Sequence, residues 1–261
     1  MPEPTTPLAV VTGASSGIGA ALAHEISRDG YALFLVARRV DRLRALAESL
    51  PGEAQVFEAD LTEPGATAAL ASVLTSLPRP PDVLINNAGF GQSGPFAAGS
   101  AARDLGMVDL NVRAVVDLSH HLLPTMLARG SGGILNVAST AAFQPGPNAS
   151  VYYASKAFVL SFSEALHAEC APQGVTVSAL CPGPVATEFF DMAGMDRVRL
   201  RRLTRAMSAE AVAAAGWKGF RNGRRRIVPG FSNKLIAATA GFLPRSLVLP
   251  VVKRLQSSAD G

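Results

Sequence analysis

The amino-acid sequence predicts an α/β fold: an open, doubly wound parallel sheet of about seven strands with helices on both faces. Three observations predict it. Short apolar runs alternate with helix-length segments from Leu8 to Leu180. The runs are predominantly apolar, as strands buried on both faces are. The first run also ends in a glycine-rich turn that opens directly into a helical pattern, the junction of a βα unit.

Leu8–Thr12 reads as the first strand and Gly17–Asp29 as its helix. Tyr31–Ala37, rich in strand formers, is the second strand, with Val40–Leu50 as its helix. Gln55–Ala59 is the third strand, and a helix across Thr67–Leu77 leads to the fourth, Val83–Asn86. Met107–Arg129 is apolar at helical spacing and stops before Gly130-Ser131-Gly132-Gly133. Ile134–Ala138, Val151–Ala171 and Val175–Leu180 give a fifth strand, a helix and a sixth strand. After Pro182-Gly183-Pro184 the alternation fails. Residues 188–210 mix aromatics, methionines and arginines, a composition suited to a flap over a site. Arg226–Val228 reads as a seventh strand, and residues 231–261 as an apolar and basic C-terminal extension. Its apolar run, Lys234–Leu255, is broken by Pro244, Arg245 and Pro250, whereas a membrane span needs about 20 uninterrupted apolar residues. With no repeat and no linker in view, residues 1–261 are expected to form one domain.

Composition narrows the function classes. Hydrophobic residues at 48% and charged residues at 17% suit a large core and exclude disorder. Cys170 and Cys181 lack metal or redox spacing, and His24, His120, His121 and His167 are scattered, so no metal site is expected. The opening residues carry no signal-peptide pattern, so a cytoplasmic location is expected. The formal net charge of +4 conceals an asymmetry: 14 Lys/Arg stand against 3 Asp/Glu from residue 195 onward, and 10 against 17 before it. Such a basic region either attracts phosphates, acidic lipids or an acidic partner, or is a solvated surface; nucleic acid is not an expected partner.

Thr12-Gly13-Ala14-Ser15-Ser16-Gly17-Ile18-Gly19 lies where the first strand meets the first helix. Glycines there let the backbone approach a pyrophosphate at the positive end of the helix. The spacing is one residue longer than the usual dinucleotide fingerprint, so its strand–turn–helix context carries the reading. The second strand ends at Ala37, where an acid would hold the adenosine ribose of NAD, and Arg38 and Arg39 follow. Two guanidiniums suit a phosphate monoester, so NADP(H) is preferred over NAD(H), the other reading being helix-start surface charges.

Tyr152 and Lys156 stand four apart on an expected helix and so share one face. A free phenol, with a pKa near 10, is a poor base, and a nearby ammonium lowers that value. Tyr153 lacks such a partner, because Ala157 stands four residues after it. The Ser139 hydroxyl could hold a carbonyl oxygen beside the pair. The spacing alone is common. Asn111, in isolation, reads as a buried polar residue satisfied by backbone.

Taken together, these motifs resemble the short-chain dehydrogenase/reductase family over about residues 8–188. The resemblance rests on the glycine turn, Asn86-Asn87-Ala88-Gly89, Asn111, Ser139, Tyr152-x-x-x-Lys156 and Pro182-Gly183, in that order. It implies a Rossmann-type catalytic domain in which Tyr152 is the general acid in reduction and the base in oxidation. Lys156 would bind the nicotinamide ribose and lower the Tyr152 pKa, and Ser139 would bind the substrate oxygen. Asn111 would hold a water linking Lys156 to solvent. Cofactor contacts are implied for Gly13, Ser15, Ser16, Gly17, Ile18 and Gly19 at the turn, and for Arg38 and Arg39. They are implied also for Asp60, Leu61, Asn87, Ala88 and Gly89, and for Pro182, Gly183, Val185 and Thr187 beside Tyr152 and Lys156. A homodimer or homotetramer through the two long helices is implied as well.

Phe90, Phe143, Phe189 and Phe190 follow these motifs at expected strand ends and suggest a substrate site for a bulky, hydrophobic ketone or aldehyde. Some of them would instead pack beneath the flap. The arginines at 197, 199, 201, 202 and 205 admit three readings: a carrier phosphate as in 3-oxoacyl thioester reduction, weak association with an anionic membrane surface, or a solvated helix. An NADP-dependent alcohol dehydrogenase working oxidatively is a further alternative, and an NADPH-binding sensor or scaffold is the non-enzyme one.

Overall fold

The computed structural model describes residues 6–189, 206–240 and 243–256. Its strands are β1 (Leu8–Thr12), β2 (Ala32–Ala37), β3 (Ala54–Glu58), β4 (Val83–Asn86), β5 (Gly133–Val137), β6 (Thr176–Leu180) and β7 (Arg226–Ile227). They form one sheet in the order β3-β2-β1-β4-β5-β6-β7, parallel at every pairing. Each lies within one residue of its expected bounds. The helices are α1 (Gly17–Arg28), α2 (Val40–Ser49), α3 (Ala66–Thr75), α4 (Ala101–Val108), α5 (Ala114–Arg129), α6 (Ser150–Cys170), α7 (Ala209–Arg221), α8 (Phe231–Thr239) and α9 (Arg245–Leu255).

Two apolar layers sandwich the sheet. On one face Leu22 and Ile26 of α1 join Val212, Trp217 and Phe220 of α7; on the other Leu70 and Leu74 of α3 join Leu118, Leu122 and Met126 of α5. A helix apolar along one stripe must bury that stripe, and the doubly wound order gives each helix a sheet face to cover. The chain runs outward from β1 to β3 and returns to β4 on the other side of β1. The resulting crevice at the carboxyl ends of β1 and β4 is where such sheets bind ligands.

Three elements depart from the sequence expectation. The helix expected over Met107–Arg129 begins earlier, at Ala101, where the Ser100 hydroxyl accepts from Arg103 N (3.4 Å). It is also interrupted by one π turn at Asp109–Arg113, which reorients Asn111. The helix α7, not anticipated, is Ala-rich, and the Ser208 hydroxyl accepts from Ala211 N at its start (3.2 Å). It docks on α1, with Trp217 Nε1 and Arg221 both donating to Asp29 (3.0 and 2.6 Å). No helix among the described residues is long and apolar enough to cross a membrane. Most of the 188–210 segment, with Phe190 and the arginines at 197–205, lies outside the described residues.

Candidate active site

The glycine turn forms the floor of the crevice. Gly13 and Gly17 hold φ values of 64° and 57°, a left-handed conformation that L side chains rarely adopt. A Cβ on Gly13 would stand 2.8 Å from Ala88 Cα, and one on Gly17 would stand 3.1 Å from the Thr187 methyl. Gly19 acts differently: a Cβ there would overlap the Gly13 carbonyl, so this glycine lets α1 approach the turn and does not line the cavity. Asn87 pins the turn by donating to Thr12 O (2.9 Å) and Gly13 O (3.1 Å). Thr12 Oγ1 accepts from Asn87 N and Ala88 N (3.0 and 3.1 Å), locking the ends of β1 and β4 together.

Beyond the end of β2, Arg39 reaches back over the turn and donates to Ser16 Oγ (2.8 Å) and Ser15 Oγ (3.2 Å). Its other nitrogen pairs with Glu188 (2.9 Å), and Arg42 meets the same carboxylate at 2.7 Å. The hydrogen bonds from Arg39 and Arg42 hold the Glu188 carboxyl below its ordinary range. Arg42, one turn into α2, went unremarked in the sequence; only its three-residue spacing from Arg39 hinted at it. Arg38 is more exposed and pairs with Asp60 at 3.3 Å. Burial pushes the Asp60 carboxyl up, but hydrogen bonds from Thr62 and Arg38 outweigh it and the net shift is downward.

Ser139 lies two residues past the end of β5, Tyr152 and Lys156 project from α6, and all three line one cavity of about 630 Å³. Ser139 Oγ accepts from Ala141 N (3.1 Å), which fixes the hydroxyl at the start of a short 3-10 turn. That hydroxyl also donates to Pro182 O (3.5 Å), and the Lys156 ammonium lies 6.0 Å from the Tyr152 ring centroid. Lys156 Nζ donates to Val137 O (2.9 Å). Burial raises the Tyr152 pKa to about 12, although the neighbouring Ser139 hydroxyl opposes it. Burial lowers the Lys156 pKa to about 8. The spacing predicts that the lysine lowers the phenol pKa; desolvation instead dominates, and the phenol is held protonated. Asn111 is buried one layer behind. Its amide donates to Phe90 O (2.9 Å) and Ser155 Oγ (3.1 Å) and accepts from Phe90 N (3.1 Å).

The structure places two of the four expected substrate phenylalanines elsewhere. Phe90 points toward Gly106 of α4, and Phe143 lies under the Arg226 guanidinium, 5.6 Å from it; neither lines the cavity. Phe189 does, with its ring 5.6 Å from that of Tyr152. The C-terminal extension supplies walls that the sequence did not indicate, from Ser232, Asn233 and Ile236 of α8 and from Val252, Leu255 and Gln256. Among the described residues no cluster of His, Cys, Asp or Glu could hold a metal ion.

A dinucleotide fits these residues. The turn rejects any Cβ at Gly13 and Gly17, and the Arg39–Ser15–Ser16 cluster offers an anion several donors beside the start of α1. The short chain dehydrogenase family profile matches residues 7–197. A sulfoacetaldehyde reductase of Chromohalobacter salexigens is 38% identical over 78% of this chain and 83% of its own. The short-chain dehydrogenase from Sphingobium yanoikuyae, solved in complex with NADPH, superposes with a TM-score of 0.81. It is 32% identical, over 98% of this chain and all of its own. The bulky-bulky ketone specific alcohol dehydrogenase from Comamonas testosteroni superposes with a TM-score of 0.76 at 32% identity, over 90% of this chain and 92% of its own. The site and fold thus define a nicotinamide-dependent oxidoreductase acting on CH–OH and C=O groups. The chain belongs to the short-chain dehydrogenase/reductase family.

Proposed function

We propose that this protein reduces a bulky, hydrophobic ketone or aldehyde to an alcohol with NADPH, reversibly, with Tyr152 as general acid. The observation that carries this reading is the convergence of Ser139, Tyr152 and buried Lys156 on one cavity floored by the glycine turn. When bound, the cofactor supplies a hydride to the carbonyl carbon. Ser139 holds the carbonyl oxygen, and the Tyr152 phenol gives that oxygen its proton. A phenol held near 12 is fully protonated at neutral pH, which suits the reductive direction. Lys156, on the next turn of α6, binds ribose hydroxyls and stabilises the phenolate left behind. Asn111 is a positioning residue that ties the backbone at Phe90 to Ser155 behind Lys156.

Arg39 with Ser15 and Ser16, in the absence of any acid at Ala37, supports NADP(H) over NAD(H). The apolar walls given by Phe189, Ile236, Val252 and Leu255 support a bulky substrate. Leu105, Val108 and Phe158 expose apolar surface on α4 and α6, which supports an oligomer through these helices. The test is a panel of carbonyls followed by NADPH absorbance. Aryl or long-chain ketones are expected to exceed small polar carbonyls at least about tenfold in kcat/KM. Preference for small acidic aldehydes would overturn the substrate class.

A further inference from the structure

The helix α8 is inside out. Its buried side carries Asn233, 9% exposed, whose amide donates to Pro229 O at 2.8 Å. Its outward crest carries Phe231 and Leu235, 85% and 57% exposed and one turn apart, with Ile236 beside them at 43%. The helix α9 repeats the theme. Val248 and Val252 pack inward on Tyr153, while Leu247 and Val251, one turn apart and 63% and 58% exposed, form a second ridge, and Leu243 ahead of the helix is exposed too. A helix with apolar residues on a solvent-facing side needs something to cover it.

The charge pattern selects the cover. Between Ala211 and Gln256 there are nine Lys/Arg and no Asp or Glu. Lys234, Arg245 and Lys253 border the crests and make no ion pair with the described residues. A second copy docking through this face about a two-fold axis would bring these cations together without a carboxylate from the segment to pair them. An anionic lipid surface complements both features: acyl chains take the crests and headgroup phosphates take the flanking cations. Ile236 is both part of the exposed surface and part of the cavity wall, so the apolar face runs into the mouth of the active site.

We propose that α8 and α9 form a docking surface for anionic lipid, and that the cavity opens toward that surface to receive lipid-borne carbonyl substrates. The substrate-delivery clause rests on the reductase reading; the docking itself does not. The test is sedimentation of the full chain with phosphatidylcholine vesicles, with and without phosphatidylglycerol, while the mass of the protein is measured by light scattering. Binding is expected only with phosphatidylglycerol at about 0.05 M salt, weakening at about 0.5 M. The pair Lys234→Glu and Lys253→Glu and the pair Phe231→Asp and Leu235→Asp are each expected to weaken binding at least about tenfold, with NADPH binding and mass unchanged. None of these four side chains lines the cavity.

No sedimentation of the wild type at low salt would overturn the proposal. So would Phe231→Asp/Leu235→Asp lowering the mass of the oligomer, which would assign the face to a second copy. So would a loss confined to the charge variant, which would mean that the crests do not insert. Sedimentation needs no turnover, so failure of the reductase reading would leave this result standing.

Discussion

Tyr152 and Tyr153 are neighbours on α6 with ring centroids 6.1 Å apart, and both line the cavity, yet their hydroxyls have different surroundings. The Tyr152 phenol meets Ser139 in the cavity, whereas the Tyr153 hydroxyl accepts from Gln256 Nε2 at 2.7 Å beneath α9. The division follows from the helix: only Tyr152 has a lysine four residues on, and Tyr153 is the one buried in the cluster with Val248 and Val252. Tyr153→Phe is therefore expected to keep carbonyl reduction within a few fold. It should cost about 1–3 kcal/mol of stability, because Gln256 loses its partner while buried. Thermal melting beside initial rates checks it, and abolished turnover in a folded Tyr153→Phe would contradict the division.

Lys156 gives a pH expectation with a defined sign. Burial depresses its pKa to about 8, so the ammonium is charged below that pH and neutral above it. The charged form is the one that supports a phenolate at Tyr152, so carbonyl reduction is expected to fall as pH rises through about 8. Lys156→Met should lower kcat about 100- to 10,000-fold and remove that limb from the residual profile. An unchanged profile in Lys156→Met would assign the limb to another group.

Arg39 should decide the cofactor. A charge-assisted contact of this kind is worth about 1.5–3 kcal/mol. Arg39→Ala is thus expected to raise the KM for NADPH about 10- to 100-fold and to leave the KM for NADH nearly unchanged. Equal losses with both cofactors would show that Arg39 supports the turn through Ser15 and Ser16 rather than reading a phosphate.

Stability and chemistry should separate at Asn136. Asn86 Nδ2 donates to Asn136 Oδ1 (2.8 Å) across β4 and β5, and Asn136 Nδ2 donates to Ser163 Oγ (2.9 Å), all of it buried. Asn136→Ala leaves the Asn86 amide short of a partner and is expected to cost about 1–3 kcal/mol. In a chain of this size that lowers Tm by roughly 3–10 °C, with the KM for NADPH unchanged. Calorimetry and NADPH titration of the same preparation check both halves.

The sheet was legible because most strands are short, largely apolar runs that alternate with helix-length segments, and the two-residue strand Arg226–Ile227 was marked by the Pro229-Gly230 turn after it. The positions of Ser139, Tyr152 and Lys156 were legible because strand end and helix spacing bring them to one wall. Side-chain direction was not. Phe90 and Phe143 are adjacent in sequence to residues around the cavity, but backbone turns send one toward α4 and the other under Arg226. The π turn at Asn111 has no local signature, since it depends on the packing of Asn111 against Phe90 and Ser155. The helix α7 did have one, a capping serine before an alanine-rich run, and it was passed over amid the basic residues around it. The walls from α8 and α9 depend on contacts about 100 residues apart in the chain, as between Tyr153 and Gln256, and no periodicity reports those.

The central claim is that the Tyr152 phenol delivers the proton, and Tyr152→Phe tests it most directly. This variant keeps the ring against Phe189 and removes only the phenol hydroxyl. Single-turnover reduction of a bulky ketone by pre-bound NADPH is expected to slow by about 100- to 10,000-fold, with NADPH affinity within a few fold of wild type. Reduction at near wild-type rates by a folded, NADPH-binding Tyr152→Phe would contradict the account.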